Sequence, residues 1–460
     1  MEHPFSASHF QGQKACVIGL GHSGSAAARL LAEQGFDVLM TDSRALKEVS
    51  DLIKDVPAPA VWEASGPSEK ALHCGFAVKS PGLSWASPIV KKIQEAGIPI
   101  FSEMEVALSF SKTDRIIAIT GTNGKTTTTS LTGDIFRQGL PYGQNVHVCG
   151  NIGTPASACV LSANPKDVLV IESSSYQLED SRFFHPKVSA ILNIQPDHLD
   201  HHGSFANYIR AKARIFRDQN ASDFCVFNAL DLETVKLARK CPAQRLFFGD
   251  DPKSSHAWVE EGKIYARLSL NDSPYLFTPP RLPGRHNLEN AMAAILIGLA
   301  SGISEGSIQK ALAQFKGVEH RLEEAGTYRQ IRCVNDSKAT NVDSTLVALK
   351  AFSGFNKKLI LILGGLDKGS PYAPLKPLIS QTVKTVLTIG SAASKIEKEL
   401  DGIVPISPCE NLDKAVERAF EIGEAGDILL LSPACASFDQ FKNFEDRGEK
   451  FKKILKRYQN

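Results

Sequence analysis

Gly121, Thr122, Asn123, Gly124, Lys125, Thr126 and Thr127 stand between the β-rich run RIIAIT and a helical stretch beginning TTTSLTGD. Successive backbone N–H groups at such a strand-to-helix turn face an anion, a lysine there neutralises β- and γ-phosphates, and a threonine hydroxyl ligates Mg²⁺. This points to an ATP site. The loop departs from the common G-x-x-x-x-G-K-[ST] pattern, because only two residues separate Gly121 from Gly124 and Ile occupies position 119. In a parallel sheet the carboxyl ends of the strands share one edge. Glu172, ending DVLVIE, and His198, just past VSAILNI, should therefore lie near this loop and serve a metal. Mg²⁺ prefers oxygen, so Glu172 is a natural ligand and His198 an unusual one, while His201 and His202 raise the question of zinc. With no C-x-x-C pair and no H-E-x-x-H helix, the latter two are read as solvated loop residues. Lys212, in NYIRAKARIF, reads from composition as a surface lysine.

A second glycine loop comes earlier. Gly19, Gly21 and Gly24 follow the run KACVIG and precede an Ala-rich helix, and Asp42 ends the next apolar run. Strand, glycine turn, helix and acid form the dinucleotide-fold pattern, in which the acid accepts from a hydroxyl. NAD is the obvious ligand on this loop alone; the ATP loop makes a different nucleotide worth weighing.

The elements that must carry these residues alternate. Short β-rich runs, each punctuated by Gly, Ser, Asn or Asp, are followed by stretches of helical period: 14–19, 36–42, 115–120, 167–172, 188–194, 358–365, 385–390 and 427–432. That alternation predicts parallel α/β sheets. A chain of 460 residues is three times the ~150-residue norm for one domain, and 43% hydrophobic content can fill several cores. The punctuation places boundaries at 1–104, 105–317 and 318–460. Fifty-two basic against fifty acidic residues leave a charge of +2, so no global field exists to grip nucleic acid or a membrane. The nine cysteines are odd in number and scattered, which fits a reducing cytosol. The N-terminal MEHPFSASHF lacks a signal-peptide pattern, and no apolar run reaches bilayer length; a soluble cytoplasmic protein is expected.

The series GTNGKTT, GNIG (150–153), ESSSYQL (172–178), NIQPDHLDHHGS, PGRHNLENA, HRLE and NDSKATN resembles the Mur ligase family in order and spacing over essentially the whole chain. DSKATNVDST (336–345) and LLSPACASFDQFKNFEDRG (430–448) resemble the members that add D-glutamate. The resemblance implies three domains: an N-terminal Rossmann-like domain for a UDP-sugar, a central P-loop domain with a mainly parallel sheet, and a C-terminal Rossmann-like α/β domain for the amino acid. It implies ATP-dependent amide formation through an acyl phosphate, releasing ADP and phosphate, with UDP-N-acetylmuramoyl-L-alanine and D-glutamate as substrates in peptidoglycan precursor synthesis. Carried over by motif, His22, Ser23, Asp42, Ser43 and Ser80 take the UDP-sugar, with Asn151 and His198 at its inner end. Lys125 and Thr126 take the triphosphate and a first Mg²⁺, which Glu172 joins; Asn287, Asn290, Arg321 and Asp336 take adenosine and phosphate. Lys338, Thr340, Lys368, Ser437 and Phe444 frame D-glutamate, although GGLDKG around Lys368 departs from the family's usual Gly-Gly-Asp-x-Lys. Lys212 matches the family lysine that becomes a carbamate and bridges magnesium, so two Mg²⁺ sites are implied, and Lys125, His198, Lys212 and Arg321 form the catalytic set. A monomer without nucleic-acid or membrane partners is expected.

Three rivals remain at this stage. A folylpolyglutamate-synthase-like ligase shares the ATP logic but would not carry the GLGHSG domain. An NAD-dependent oxidoreductase would leave the ATP loop and third domain unexplained. A non-catalytic nucleotide sensor would have no need of Glu172.

Overall fold

The computed structural model describes residues 5–63, 69–282, 284–354, 356–367, 369 and 371–459. Lys368 lies outside the described residues. The described residues form three sheets, and every β-rich run named above contributes a strand. The first sheet runs, edge to edge, Ala60–Glu63, Asp37–Thr41, Lys14–Ile18, Phe76–Lys79, Ile100–Ser102, all parallel. Lys14–Ile18 is buried along four of its five residues and Phe76–Lys79 along all four. Strands without polar alternation belong to a sheet covered on both faces, as the two apolar clusters flanking this sheet show.

The second sheet has the order Tyr275–Phe277, Lys263–Ala266, Ala257–Glu260, Gln244–Gly249, Phe224–Asn228, Val188–Ile191, Ile116–Thr120, Val168–Glu172, Val146–Gly150. It is parallel except where Lys263–Ala266 pairs with its two neighbours. Those three peripheral strands are short and partly exposed, so they carried no apolar run to find. The third sheet runs Glu323–Tyr328, Ile331–Asn335, Ile428–Leu431, Leu359–Gly364, Val383–Ile389, Ile406–Glu410, parallel apart from its first pair. Glu323–Tyr328, sequence EEAGTY, is an edge strand set by the tight turn at Arg329 and Gln330, both with positive φ.

The chain divides into two compact units, Met1–Pro280 with His286–Phe315, and Arg281–Arg285 with Lys316–Asn460. Within the first unit, the sheets built on residues 14–102 and 116–277 are joined by buried polar contacts. Lys79 Nζ lies 2.6 Å from Asp180 Oδ2, and Trp85 Nε1 donates to Asp180 Oδ1 at 2.7 Å. Ser157 N donates to the buried Glu103 carboxylate at 2.8 Å. Burial pushes the Asp180 carboxyl up to about 6 despite Lys79. All nine cysteines are free, and no described helix is long and apolar enough to cross a membrane.

Candidate active site

The loop of residues 121–124 leaves the strand Ile116–Thr120 and enters the helix Lys125–Gly139. Gly124 has φ 83°, and a Cβ there would come 2.3 Å from Asn290 Oδ1. Only glycine allows the loop to pass so close to the helix Arg285–Ala300. Asn290 Oδ1 also accepts from Thr128 Oγ1 (3.2 Å), and Asn290 Nδ2 donates to Asn287 Oδ1 (3.3 Å), so both asparagines stand in one buried chain beginning at the loop. The loop is braced from the neighbouring strand end: Thr122 N donates to Asn193 O, and Asn123 N to Asn193 Oδ1 at 2.7 Å.

Two amines converge on this loop. Lys125 Nζ donates to Gly121 O and Thr122 O, each at 2.8 Å, and Lys212 Nζ donates to the same Gly121 O at 2.8 Å. Lys212 is no surface lysine. It is 1% exposed, on the helix Phe205–Ala213, with its ammonium 4.8 Å from the Tyr208 ring centroid. Burial, and then the charge of Lys125, hold its pKa well below the usual lysine range. Tyr208, whose hydroxyl lies 2.9 Å from Thr122 Oγ1, is a site residue the sequence reading missed. Its i, i+4 spacing to Lys212, with Ala211 and Ile215 buried on the same stripe, was the available signal.

Glu172 ends the strand Val168–Glu172 between Ile119 and Gly150. Asn151 Nδ2 donates to its Oε1 at 2.8 Å. Its Oε2 is buried with no hydrogen-bond partner among the described residues. A buried carboxylate oxygen left without a donor is able to take a cation. Glu172 and the buried Thr126 hydroxyl are the hard oxygen donors Mg²⁺ takes, so the residues present fit that ion.

His198 adopts φ 51° at the start of the helix Leu199–His202. Its half-exposed ring lies 3.5 Å from Asp197 Oδ2 and packs edge-on against Tyr176. His201 and His202 depart from the solvated-loop expectation. They sit on that helix, His202 is 4% exposed, and Glu179, from the helix Ser175–Asp180, lies against both rings. Tertiary pairing between two short helices leaves no mark on sequence spacing.

In the first sheet, Asp42 sits at the carboxyl edge next to the Gly19 turn, and its carboxylate is already engaged. Leu20 N donates to Oδ2 at 2.6 Å, and Arg44 donates from N and Nε to Oδ1 at 3.0 Å and from Nη2 to Oδ2 at 2.8 Å. Arg44 holds this carboxyl well below the usual range, and the sequence reading did not include it. A Cβ at Gly24 would fall 1.9 Å from Gly19 O, which accounts for the glycine by close turn-to-helix packing. Ser80 follows the strand Phe76–Lys79, its N–H donating to Ile18 O, and Ser23, Ser43 and Asn151 are at least partly exposed. His22 faces a cavity of about 620 Å³ that Arg29, Asp51 and Asp55 also line.

In the second unit, Asp336 is buried after the strand Ile331–Asn335. It accepts from Ser432 Oγ (2.7 Å) and Leu322 N (3.2 Å), and burial raises it to about 7 although Arg321 pulls the other way. Lys338 N donates to His320 O, and its ammonium lies 5.8 Å from the Phe444 ring centroid. Thr340 is half-buried beside it and Ser437 is buried. Arg447, which the sequence reading left out, locks this region: fully buried, it donates to Ser337 Oγ (3.0 Å), Ser337 O (2.9 Å) and Cys435 O (3.1 Å). Arg447→Ala strands those acceptors and opens a void, so unfolding free energy should fall by about 3 kcal/mol. Denaturant titration measures it, and a loss under 1 kcal/mol would contradict the bracing role.

A parallel α/β chain with a phosphate loop, a buried carboxylate with one oxygen left without a donor and a buried amine at one sheet edge is an ATP-handling P-loop protein. Its family follows from sequence comparison. The Mur ligase middle domain matches residues 119–298, the Mur ligase glutamate ligase domain 320–435, and the Mur ligase MurD-like N-terminal domain 13–102. The chain is 48% identical to UDP-N-acetylmuramoylalanine–D-glutamate ligase of Elusimicrobium minutum, over 98% of this chain and 99% of the relative. It is 43% identical to the enzyme of the same name from Koribacter versatilis, over 97% and 98%. Similar solved structures include UDP-N-acetylmuramate-alanine ligase of Thermotoga maritima (TM-score 0.59, 20% identity, 97% of this chain and 99% of that one). MurF ligase of the same organism in complex with ADP is another (TM-score 0.58, 17% identity, 85% and 91%). The chain belongs to the Mur ligase family.

Proposed function

We propose that the protein joins D-glutamate to UDP-N-acetylmuramoyl-L-alanine with conversion of ATP to ADP and phosphate, a step of peptidoglycan precursor synthesis. The near-complete match to relatives of that name carries this reading. It displaces the oxidoreductase and folate-ligase alternatives, because the relatives extend over the GLGHSG domain as well as the ATP loop. The division 1–104, 105–317 and 318–460, action as a monomer and a cytoplasmic site belong to the same reading.

A free carboxylate must be activated before an amine can displace its oxygen. Phosphoryl transfer needs positioned positive charge and backbone N–H groups more than a covalent nucleophile. In this reading Lys125 and the N–H groups of residues 121–127 hold the triphosphate, with Asn287, Asn290, Arg321 and Asp336 on adenosine and phosphate. Thr126, Glu172, His198 and a carbamate on Lys212 would hold two magnesium ions, which when bound would offset the charge that builds on the transferring phosphoryl group. The acceptor carboxylate becomes an acyl phosphate; the D-glutamate amine attacks its carbon, and the tetrahedral intermediate expels phosphate. His22, Ser23, Asp42, Ser43 and Ser80 bind the UDP-sugar, with Asn151 and His198 at its inner end. Since Arg44 already occupies the Asp42 carboxylate, a ribose hydroxyl would share or displace that guanidinium.

Phosphate release measured against a panel of amino acids should require both UDP-N-acetylmuramoyl-L-alanine and D-glutamate. Release without the UDP-sugar, or AMP and pyrophosphate as products, would overturn the reading. The two carboxylates of D-glutamate must be paired when desolvated, which suits Lys368 with the hydroxyls of Thr340 and Ser437, beside Lys338 and Phe444. Lys368→Ala should chiefly raise the KM for D-glutamate, by ~10-fold or more for one lost charged contact; an unchanged KM assigns Lys368 to solvent.

A further inference from the structure

Glu179 and the histidine pair 201–202 form a constellation that the ligase reaction does not use. His201 Nε2 lies 2.8 Å from Glu179 Oε2, and His202 Nδ1 lies 3.4 Å from Glu179 Oε1. One ligand atom from each of the three residues lies within 4.8 Å of the others. The imidazole planes stand 83° apart.

His202 Nε2 lies 3.0 Å from Ser175 Oγ, a hydroxyl able to fix one tautomer. With the ring hydrogen on Nε2, the Nδ1 lone pair faces a carboxylate oxygen, acceptor against acceptor. With the hydrogen on Nδ1, the ring meets Glu179 Oε1 only across 3.4 Å, a long and poorly aligned pairing. Charging the whole ring is opposed by burial, which lowers the His202 pKa. A cation held between Nδ1 and the carboxylate replaces that long pairing with two short bonds.

We propose that Glu179, His201 and His202 bind a divalent transition-metal ion of the zinc class. Two imidazoles and a carboxylate are a set zinc takes, with a fourth position left to water. Bonds of about 2.1 Å in a tetrahedron place neighbouring ligand atoms ~3.4 Å apart, which matches the His202–Glu179 separation, and a small carboxylate rotation opens the His201 contact. The hydroxyl of Ser175 orients the His202 ring through its other nitrogen, as partners of metal-bound histidines do. Nitrogen donors distinguish this site from the oxygen set at Glu172 and Thr126, which suits magnesium. The other cluster of this kind among the described residues, Glu319, His320 and Glu449, already has its cation: Lys452 Nζ lies 2.5 Å from Glu319 and 2.7 Å from Glu449. Because His198 begins the helix that ends in His201 and His202, an ion here pins the segment carrying His198.

Co²⁺ titrated into the metal-free full-length protein under saturating Mg²⁺ reports the site through the visible absorption of tetrahedral cobalt, which needs no turnover. One equivalent should bind, be displaced by Zn²⁺, and weaken at least tenfold in both His201→Ala and Glu179→Gln while persisting in His198→Ala. The His201 side chain is 15% exposed, so its variant should fold, and unchanged melting without metal verifies this. Absence of the tetrahedral spectrum in the parent protein, equal affinity in His201→Ala, or loss in His198→Ala alone would each overturn the proposal, the last by placing the ion at the magnesium site.

Discussion

Lys125→Ala should lower turnover by ~10³-fold or more while leaving the melting temperature within a few degrees of the parent. The size follows from what the residue offers the reaction: removing one preorganised donor from developing charge costs ~10²–10³-fold, and a full cation on a transferring phosphoryl group contributes more. The fold should survive because the bonds its ammonium makes to Gly121 O and Thr122 O stay within its own loop, and Gly121 O keeps the bond from Lys212 Nζ when the side chain is gone. The φ of 83° at Gly124 and the bonds from Asn193 maintain the loop without it. Steady-state phosphate release at saturating substrates, with thermal melting as control, makes the measurement. Activity within tenfold of the parent would remove Lys125 from phosphate handling and with it most of the case for this loop as the ATP site. Lys125→Arg should restore little, since a planar fork does not replace a compact ammonium packed against two carbonyls.

The parallel strands were legible because they are buried on both faces and so read as unbroken apolar runs, Leu359–Gly364 being buried throughout. The phosphate loop was legible because a glycine turn, a lysine and a threonine in a row between strand and helix have few other uses. Less visible were residues whose role depends on a partner distant in sequence. Glu179 and His201 are 22 residues apart, and Arg447 lies 110 residues from Ser337. Arg44 was obscured for the opposite reason. Two residues from Asp42, it looks like an ordinary turn residue until its guanidinium is seen capping that carboxylate. Lys212 was misread from composition because a charged side chain in the buried stripe of a helix contradicts the usual pattern; a group that breaks local rules inside a well-packed element is where function concentrates.

That contradiction makes Lys212→Ala the most telling substitution. An ammonium beside a magnesium ion is repelled by it, whereas a carbamate formed from the amine and CO₂ is an anionic oxygen ligand of the kind magnesium prefers. Carbamate formation starts from the neutral amine: its nitrogen lone pair attacks the carbon of CO₂ and the surplus proton leaves to solvent. An amine whose pKa is held well below the usual lysine range, by burial and then by the neighbouring Lys125 charge, reaches the neutral form more readily than an exposed lysine does. Its position against Gly121 O puts the new group at the phosphate loop, across the sheet edge from the unpartnered Glu172 Oε2. Lys212→Ala should therefore lower turnover by ~10²-fold or more, as for a lost metal ligand or its support. A small carboxylate such as acetate, entering the vacated space, should recover part of it, where a purely structural lysine would give no such rescue. ¹³CO₂ supplied to the parent protein should yield one carbamate resonance that is absent from the alanine variant. A catalytically competent, metal-loaded crystal with no planar group on the Lys212 amine would sink the carbamate while leaving the ligase assignment intact.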